Sequence, residues 1–170
     1  DMVKECIKNN TGFCIVLTRN NSTKKYIDDV YNYGCYVMIT DWNQLEDGLL
    51  GITVQGKYKI HVKDCKLNEN NLLCGNVETI PEEKEYMIPQ KYIILSKFYK
   101  KIYPGIKNFI SYTNERYSDA SWVGFRLTEC LPLDSHTKNK LIATNDGIER
   151  LEKLYEIVNK LFKAEIKDLD

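Results

Sequence analysis

No apolar run in this chain approaches the ~18 residues that a membrane-spanning helix requires, and no stretch reads as a signal peptide. Charge of neither sign prevails: 24 Lys and Arg balance 24 Asp and Glu, for a formal net charge of zero. The chain as a whole therefore carries no electrostatic footprint for a polyanion. Histidine occurs twice, at His61 and His136, and no two cysteines form a CxxC pair. Metal binding would need such ligands at short, repeated spacing, so no metal and no cofactor is expected. Alanine is scarce beside abundant Asn and Lys, which is a matter of composition more than of function.

What is present fits an ordinary globular protein. The 170 residues are 43% hydrophobic and 28% charged, enough for one domain or two small lobes with a buried core. The six cysteines (Cys6, Cys14, Cys35, Cys65, Cys74 and Cys130) mostly sit among apolar neighbours and read as buried free thiols in a reducing cytosol. A cytoplasmic location is the corresponding expectation. Asn20 and Asn21 each open an N-x-Ser/Thr sequon, here read as part of an exposed polar loop over residues 19–25.

The densest pattern runs from Asp41 to Val62. Asp47-Gly48 is a turn dipeptide, Ile52 and Val54 alternate with Thr53 and Gln55, and Tyr58, Ile60 and Val62 alternate with Lys57, Lys59, His61 and Lys63. Gln55-Gly56 reads as a tight connection, which makes two strands of this block. Strands are also expected over residues 12–18, 34–40 and 72–80, five in all, as an antiparallel sheet or small barrel. Residues 26–33 mix aromatics with Asp28-Asp29 and take no assignment.

Composition changes at Pro81-Glu82-Glu83-Lys84-Glu85, which reads as a solvated charged linker. Beyond it the period is helical. Tyr92, Leu95, Tyr99, Ile102 and Ile106 fall at three- and four-residue steps, with Pro104-Gly105 as an interruption. Ser118-Asp119 caps a second helix that Pro132 ends, and Asp134-Ser135 caps a third. Ile148, Leu151, Tyr155, Val158, Phe162 and Leu169 form the stripe of a last helix, which packs on the other helices and is too short for a coiled coil. The expected domains are a β-rich lobe over residues 1–85 and a helical lobe over residues 86–170.

The Asp41–Val62 block resembles the signature of the N-terminal substrate-binding domain of Lon proteases. Ser121-Trp122-Val123-Gly124-Phe125-Arg126-Leu127-Thr128-Glu129-Cys130-Leu131-Pro132-Leu133, followed by Lys140-Leu141 and by Asp146 through Arg150-Leu151, resembles the helical half of the same family. The resemblance covers roughly residues 10 to 160 and implies an α+β fold: an antiparallel, PUA-like pseudobarrel lobe followed by a C-terminal helical bundle. Family members begin with a further strand rich in Pro, Leu and Phe. Here residues 1–7 read instead as the middle or end of a helix stopped at Asn9-Asn10 and Gly12, so the expectation is a fragment or a lost leading strand, with an open sheet edge.

Motifs for chemistry fail on context. Gly51 to Lys57 has the spacing of a phosphate-binding loop, but its residues are β-branched and alternating, Tyr58 stands where Ser or Thr should close it, and a strand follows. Asp134-Ser135-His136 holds triad residue types on adjacent, diverging positions. Ser96-Lys97 are helix neighbours that cannot face one another. Lys57, Lys59 and Lys63, and Lys97, Lys100 and Lys101, are read as solvating lysines, so nucleic-acid binding is disfavoured.

Surface for binding remains. The resemblance implies a non-catalytic domain that recognises unfolded or partly folded polypeptide, acting beside a protease or chaperone partner, with no membrane role. Among the crowded aromatics, Tyr31, Tyr33 and Trp42 are the candidate peptide contacts. An RNA-binding PUA-like module, an adaptor for one folded protein partner, an enzyme with an unrecognised cleft, and a homodimer paired through an open sheet edge are the alternatives.

Overall fold

The computed structural model describes residues 1–19, 30–108, 110, 112 and 114–167. They form two compact units, residues 1–82 and 83–170. Residues 20–29, with both sequons and Tyr26, fall outside the described residues, as does Leu169.

The first unit opens with helix α1 (Met2–Asn9), whose stop is the left-handed Asn10 at φ 51°. Four strands follow in the antiparallel order β1-β2-β3-β4: β1 (Phe13–Thr18), β2 (Val30–Gln44), β3 (Leu50–Leu67) and β4 (Leu73–Thr79). Among the described residues the expected five strands are four, because β3 runs unbroken through Gln55-Gly56. The register explains why that dipeptide is no turn. Tyr36 pairs with Tyr58 but Val37 pairs with Gly56, so Lys57 is one extra residue in β3. Such a bulge bends a strand without ending it. It also reverses the alternation, so Ile52 and Val54 face the opposite side of the sheet from Tyr58, Ile60 and Val62. The core of this unit is small: among the described residues Cys6, Val30, Tyr31, Val37, Ile60 and Val62 are its buried apolar ones.

The second unit is helical: α2 (Ile93–Ile106), α3 (Ala120–Cys130), α4 (Ser135–Ala143), α5 (Gly147–Leu161) and α6 (Lys163–Lys167). Pro104 does not interrupt α2. It lies in the helix's last turn, where its missing N–H costs the one intrahelical bond to the Lys100 carbonyl and the helix ends two residues later. The caps fall at Asp119, Asp134 and Asp146, each accepting from backbone N–H groups of the first turn. The last helix breaks at Phe162 (φ −128°), which splits the expected single stripe between α5 and α6. Leu95, Phe98, Tyr99, Val123, Leu127, Leu151, Leu154 and Val158, all at most 1% exposed, make a continuous core of α2, α3 and α5. Trp122 is buried in it, with Tyr99, Tyr112 and Tyr117 rings edge-on at 5.3–5.6 Å.

Within the charged run Glu83 departs from the expected solvated linker, while Glu82, Lys84 and Glu85 are exposed. The Glu83 side chain is 6% exposed and forms an ion pair with Arg150, which is fully buried. Glu85 pairs with Arg116, and Met87 bridges to Asp119. The physical reason is that an unpaired Arg150 could not be buried, so a carboxylate must accompany it. The cysteines also depart from expectation. All six are free, but only Cys6 is buried, while Cys14 and Cys74 are exposed. Cys65 pairs with Gly75 and Cys74 with Lys66, which puts the two thiols on opposite faces of the sheet.

Candidate functional site

The lengths of the strands set up the most distinctive surface. β2 and β3 have 15 and 18 residues, while β1 and β4 have 6 and 7. β1 begins opposite Val37 and reaches no further along β2 toward the tip, and β4 pairs only with β3 residues from Ile60 onward. The far half of the β2–β3 hairpin is therefore a two-stranded ribbon, and Met38 to Gln44 have β3 on one side and no strand on the other among the described residues. A ribbon of two strands has little to bury its side chains against.

Its tip is nevertheless well made. Gly48 takes φ 81°, the Leu45 N–H donates to the Leu49 carbonyl at 2.8 Å, and the Leu49 N–H donates to Asp47 Oδ1 at 3.0 Å. This turn, legible in Asp47-Gly48, presents apolar side chains to solvent: Trp42 is 58% exposed and Leu49 63%, with Leu45 and Leu50 also exposed. Along the unpaired side of β2, Cys6, Ile7, Asn10 and Thr11 face residues Met38 to Trp42 across a groove of about 250 Å³. Among the described residues Asp41 is the one charged residue in its lining, and Asp41 Oδ1 accepts the Trp42 N–H at 2.8 Å.

The three aromatic candidates are not brought together. Trp42 lies on the ribbon and lines the groove. Tyr31 is 8% exposed, at the other end of β2, with the Arg19 guanidinium 4.7 Å above its ring. Tyr33 is half-buried, and its ring lies 4.9 Å from that of His61. Nine residues of strand at ~3.3 Å each separate Tyr33 from Trp42 by about 30 Å. The groove wall from α1 and the three leucines at the tip were missed from sequence. Leu49-Leu50 directly after an Asp-Gly turn was the available signal, since a turn has no packing need for two leucines.

The residues weighed for chemistry are committed elsewhere. Ser96 Oγ donates its proton to the Tyr117 carbonyl at 2.6 Å. Asp134 accepts the Thr137 N–H and hydroxyl at 2.9 and 2.6 Å, which holds its carboxyl below the usual range and makes it a helix cap. Residues 51–57 are extended strand, with no helix to complete a phosphate loop. Partial desolvation by neighbouring groups pushes the Cys14 and Cys65 thiols up, and burial raises that of Cys130 to about 11, so these cysteines are protonated at neutral pH. Lys63 is paired with Glu78, and Lys57 donates to Gln55 at 2.6 Å. Among the described residues no three His, Cys, Asp or Glu side chains gather to hold a metal, and no helix is long and apolar enough to cross a membrane.

Solved structures share the fold. The Lon N-terminal domain protein from Xanthomonas campestris superimposes with a TM-score of 0.73 at 23% identity, over 92% of this chain and 81% of that one. The N-terminal domain of Mycobacterium avium complex Lon protease does so with a TM-score of 0.51 at 18% identity, over 86% and 89%. In sequence, the chain is 26% identical over 136 residues to the Lon protease of Endomicrobium trichonymphae. That match takes in 77% of this chain and 17% of the relative's length. Residues 1–160 match the ATP-dependent protease La (LON) substrate-binding domain, and the α+β chain, with its antiparallel sheet and helices, belongs to that family.

Proposed function

We propose that this domain recognises unfolded or partly folded polypeptide without covalent chemistry, through the β2–β3 ribbon and the groove beside it. The observation that carries the reading is the exposed Trp42 at the mouth of a groove that follows an unpaired strand edge. An extended segment laid along Met38 to Gln44 would gain main-chain hydrogen bonds from the edge, and apolar side chains would be desolvated against Trp42 and Ile7. In this reading ATP hydrolysis and peptide cleavage belong to other modules, and the domain delivers substrate to them in the cytoplasm. The RNA-binding alternative loses support because Lys57 and Lys63 already have partners.

The test is an NMR titration of the isotope-labelled chain with a chemically unfolded polypeptide, with a short RNA as the control. Shifts confined to Met38–Leu50 and α1, with the polypeptide alone, support the reading. Shifts with RNA alone, on Lys57, Lys59 and Lys63, overturn it, and so does silence with both.

A further inference from the structure

The ribbon is acidic as well as apolar. Between Met38 and Gly56 the sequence holds Asp41, Glu46 and Asp47 and no lysine or arginine, in a chain whose charges balance overall. All three carboxylates lie on exposed residues, one in the groove and two at the tip beside Leu45 and Leu49. Asp41 and Asp47 use one oxygen each on a local backbone N–H, and such a bond leaves the charge in place. A segment entering the groove along β2 would pass Trp42, then the leucines, with a carboxylate near each.

We infer that this surface selects extended polypeptide segments in which apolar residues are interspersed with lysine or arginine, and discriminates against equally apolar segments that carry Asp or Glu. The inference rests on the polypeptide-binding reading and adds its selectivity. Apolar contact with Trp42 and the leucines supplies affinity for either kind of segment. The three carboxylates supply the difference, by attraction in one case and by like-charge repulsion in the other. Exposed charges of this kind are screened, so the selectivity is a property of low ionic strength and fades within a Debye length of about 3 Å at 1 M salt.

The test uses the full 170-residue chain and two short peptides with the same apolar residues, one interspersed with Lys and one with Glu. A chemically unfolded protein serves as the reference ligand. NMR shifts locate each complex and fluorescence of Trp42 and Trp122 gives affinities. The Lys peptide should bind at least about fivefold tighter at low salt, the sum expected of three exposed pairs. The preference should vanish at about 1 M salt and in the triple variant Asp41→Asn, Glu46→Gln, Asp47→Asn, which keeps the acceptor oxygens and removes the charge. Equal binding of both peptides at the ribbon overturns the selectivity and leaves polypeptide binding standing. Shifts confined to another face overturn the site. Failure of both peptides and of the unfolded protein to bind overturns the polypeptide-binding reading, and the selectivity with it.

Discussion

Glu83 and Arg150, 67 positions apart, form a two-point ion pair in the helical unit: Arg150 Nη1 donates to Glu83 Oε2 at 2.8 Å, while Nη2 meets Oε1. Around them, Ser121 Oγ donates to Glu83 Oε2 at 2.7 Å, Arg150 Nε donates to the Leu141 carbonyl at 2.9 Å, and the Phe125 ring lies 3.7 Å from the guanidinium carbon. The middle of the charged run, the start of α3, the end of α4 and α5 are joined at one side chain. The family-like stretches at Ser121 and Arg150 thus read as parts of one structural centre.

Arg150→Ala is expected to destabilise the helical unit by about 3–5 kcal/mol, because it removes the guanidinium that balances the buried Glu83 charge. Replacing both partners, Glu83→Leu with Arg150→Met, should remain destabilised by at least about 1 kcal/mol, since the Leu141 and Thr144 carbonyls lose their donor. Denaturant unfolding followed by circular dichroism measures both. A neutral double variant would show that the carbonyl contacts contribute nothing.

Trp42→Ala should weaken polypeptide binding severalfold while changing stability by no more than about 0.5 kcal/mol, as expected for an exposed side chain. Tyr31→Ala should do the reverse, costing roughly 3 kcal/mol of the sheet unit because the ring is buried. Binding isotherms and unfolding curves on the same two variants separate the roles. A Tyr31 variant that folds normally and binds poorly would return Tyr31 to the contact surface.

Sequence carried the local features of this fold and lost the pairwise ones. Asp47-Gly48, Asp119 and Asp134 act through neighbours a few residues away, so turn and cap chemistry made them legible. The Lys57 bulge depends on how β2 registers against β3, and Gly56 alone looks the same in a turn or a bulge. Glu83 looked solvated because its partner stands 67 residues downstream. Tyr31 and Trp42 looked alike because alternation says which residues share a face and not where the neighbouring strand ends. That end, Phe13 opposite Val37, is what leaves Trp42 exposed.

The buried tyrosines give the helical unit an alkaline limit. Desolvation by burial raises the Tyr99 hydroxyl to about 12 from an ordinary 10, and raises Tyr112 and Tyr117 as well. A folded pKa above the unfolded one means the contribution is complete below pH 10 and is lost as pH rises toward 12. A spectrophotometric titration of the twelve tyrosines should therefore be biphasic, with the late phase coinciding with loss of helix signal. A single phase near pH 10, with the helices intact, would sink this account.

Gly12 holds α1 to the sheet by close approach. Its N–H donates to the Tyr36 hydroxyl at 2.7 Å, and a Cβ placed there would lie 1.9 Å from the Val37 carbonyl oxygen. No side-chain rotation relieves a clash with backbone, so Gly12→Ala must push the start of β1 away from β2. The expected cost is about 1–3 kcal/mol, as for other overpacked sites. Because Cys6, Ile7, Asn10 and Thr11 precede this junction and line the groove, the same change should also open the groove and weaken polypeptide binding. Hydrogen exchange reads the two effects together: faster exchange in β1 and along β2 up to Trp42, with α3 and α5 unchanged. Exchange in the sheet unit indistinguishable from the parent chain would mean that α1 is not fixed through Gly12.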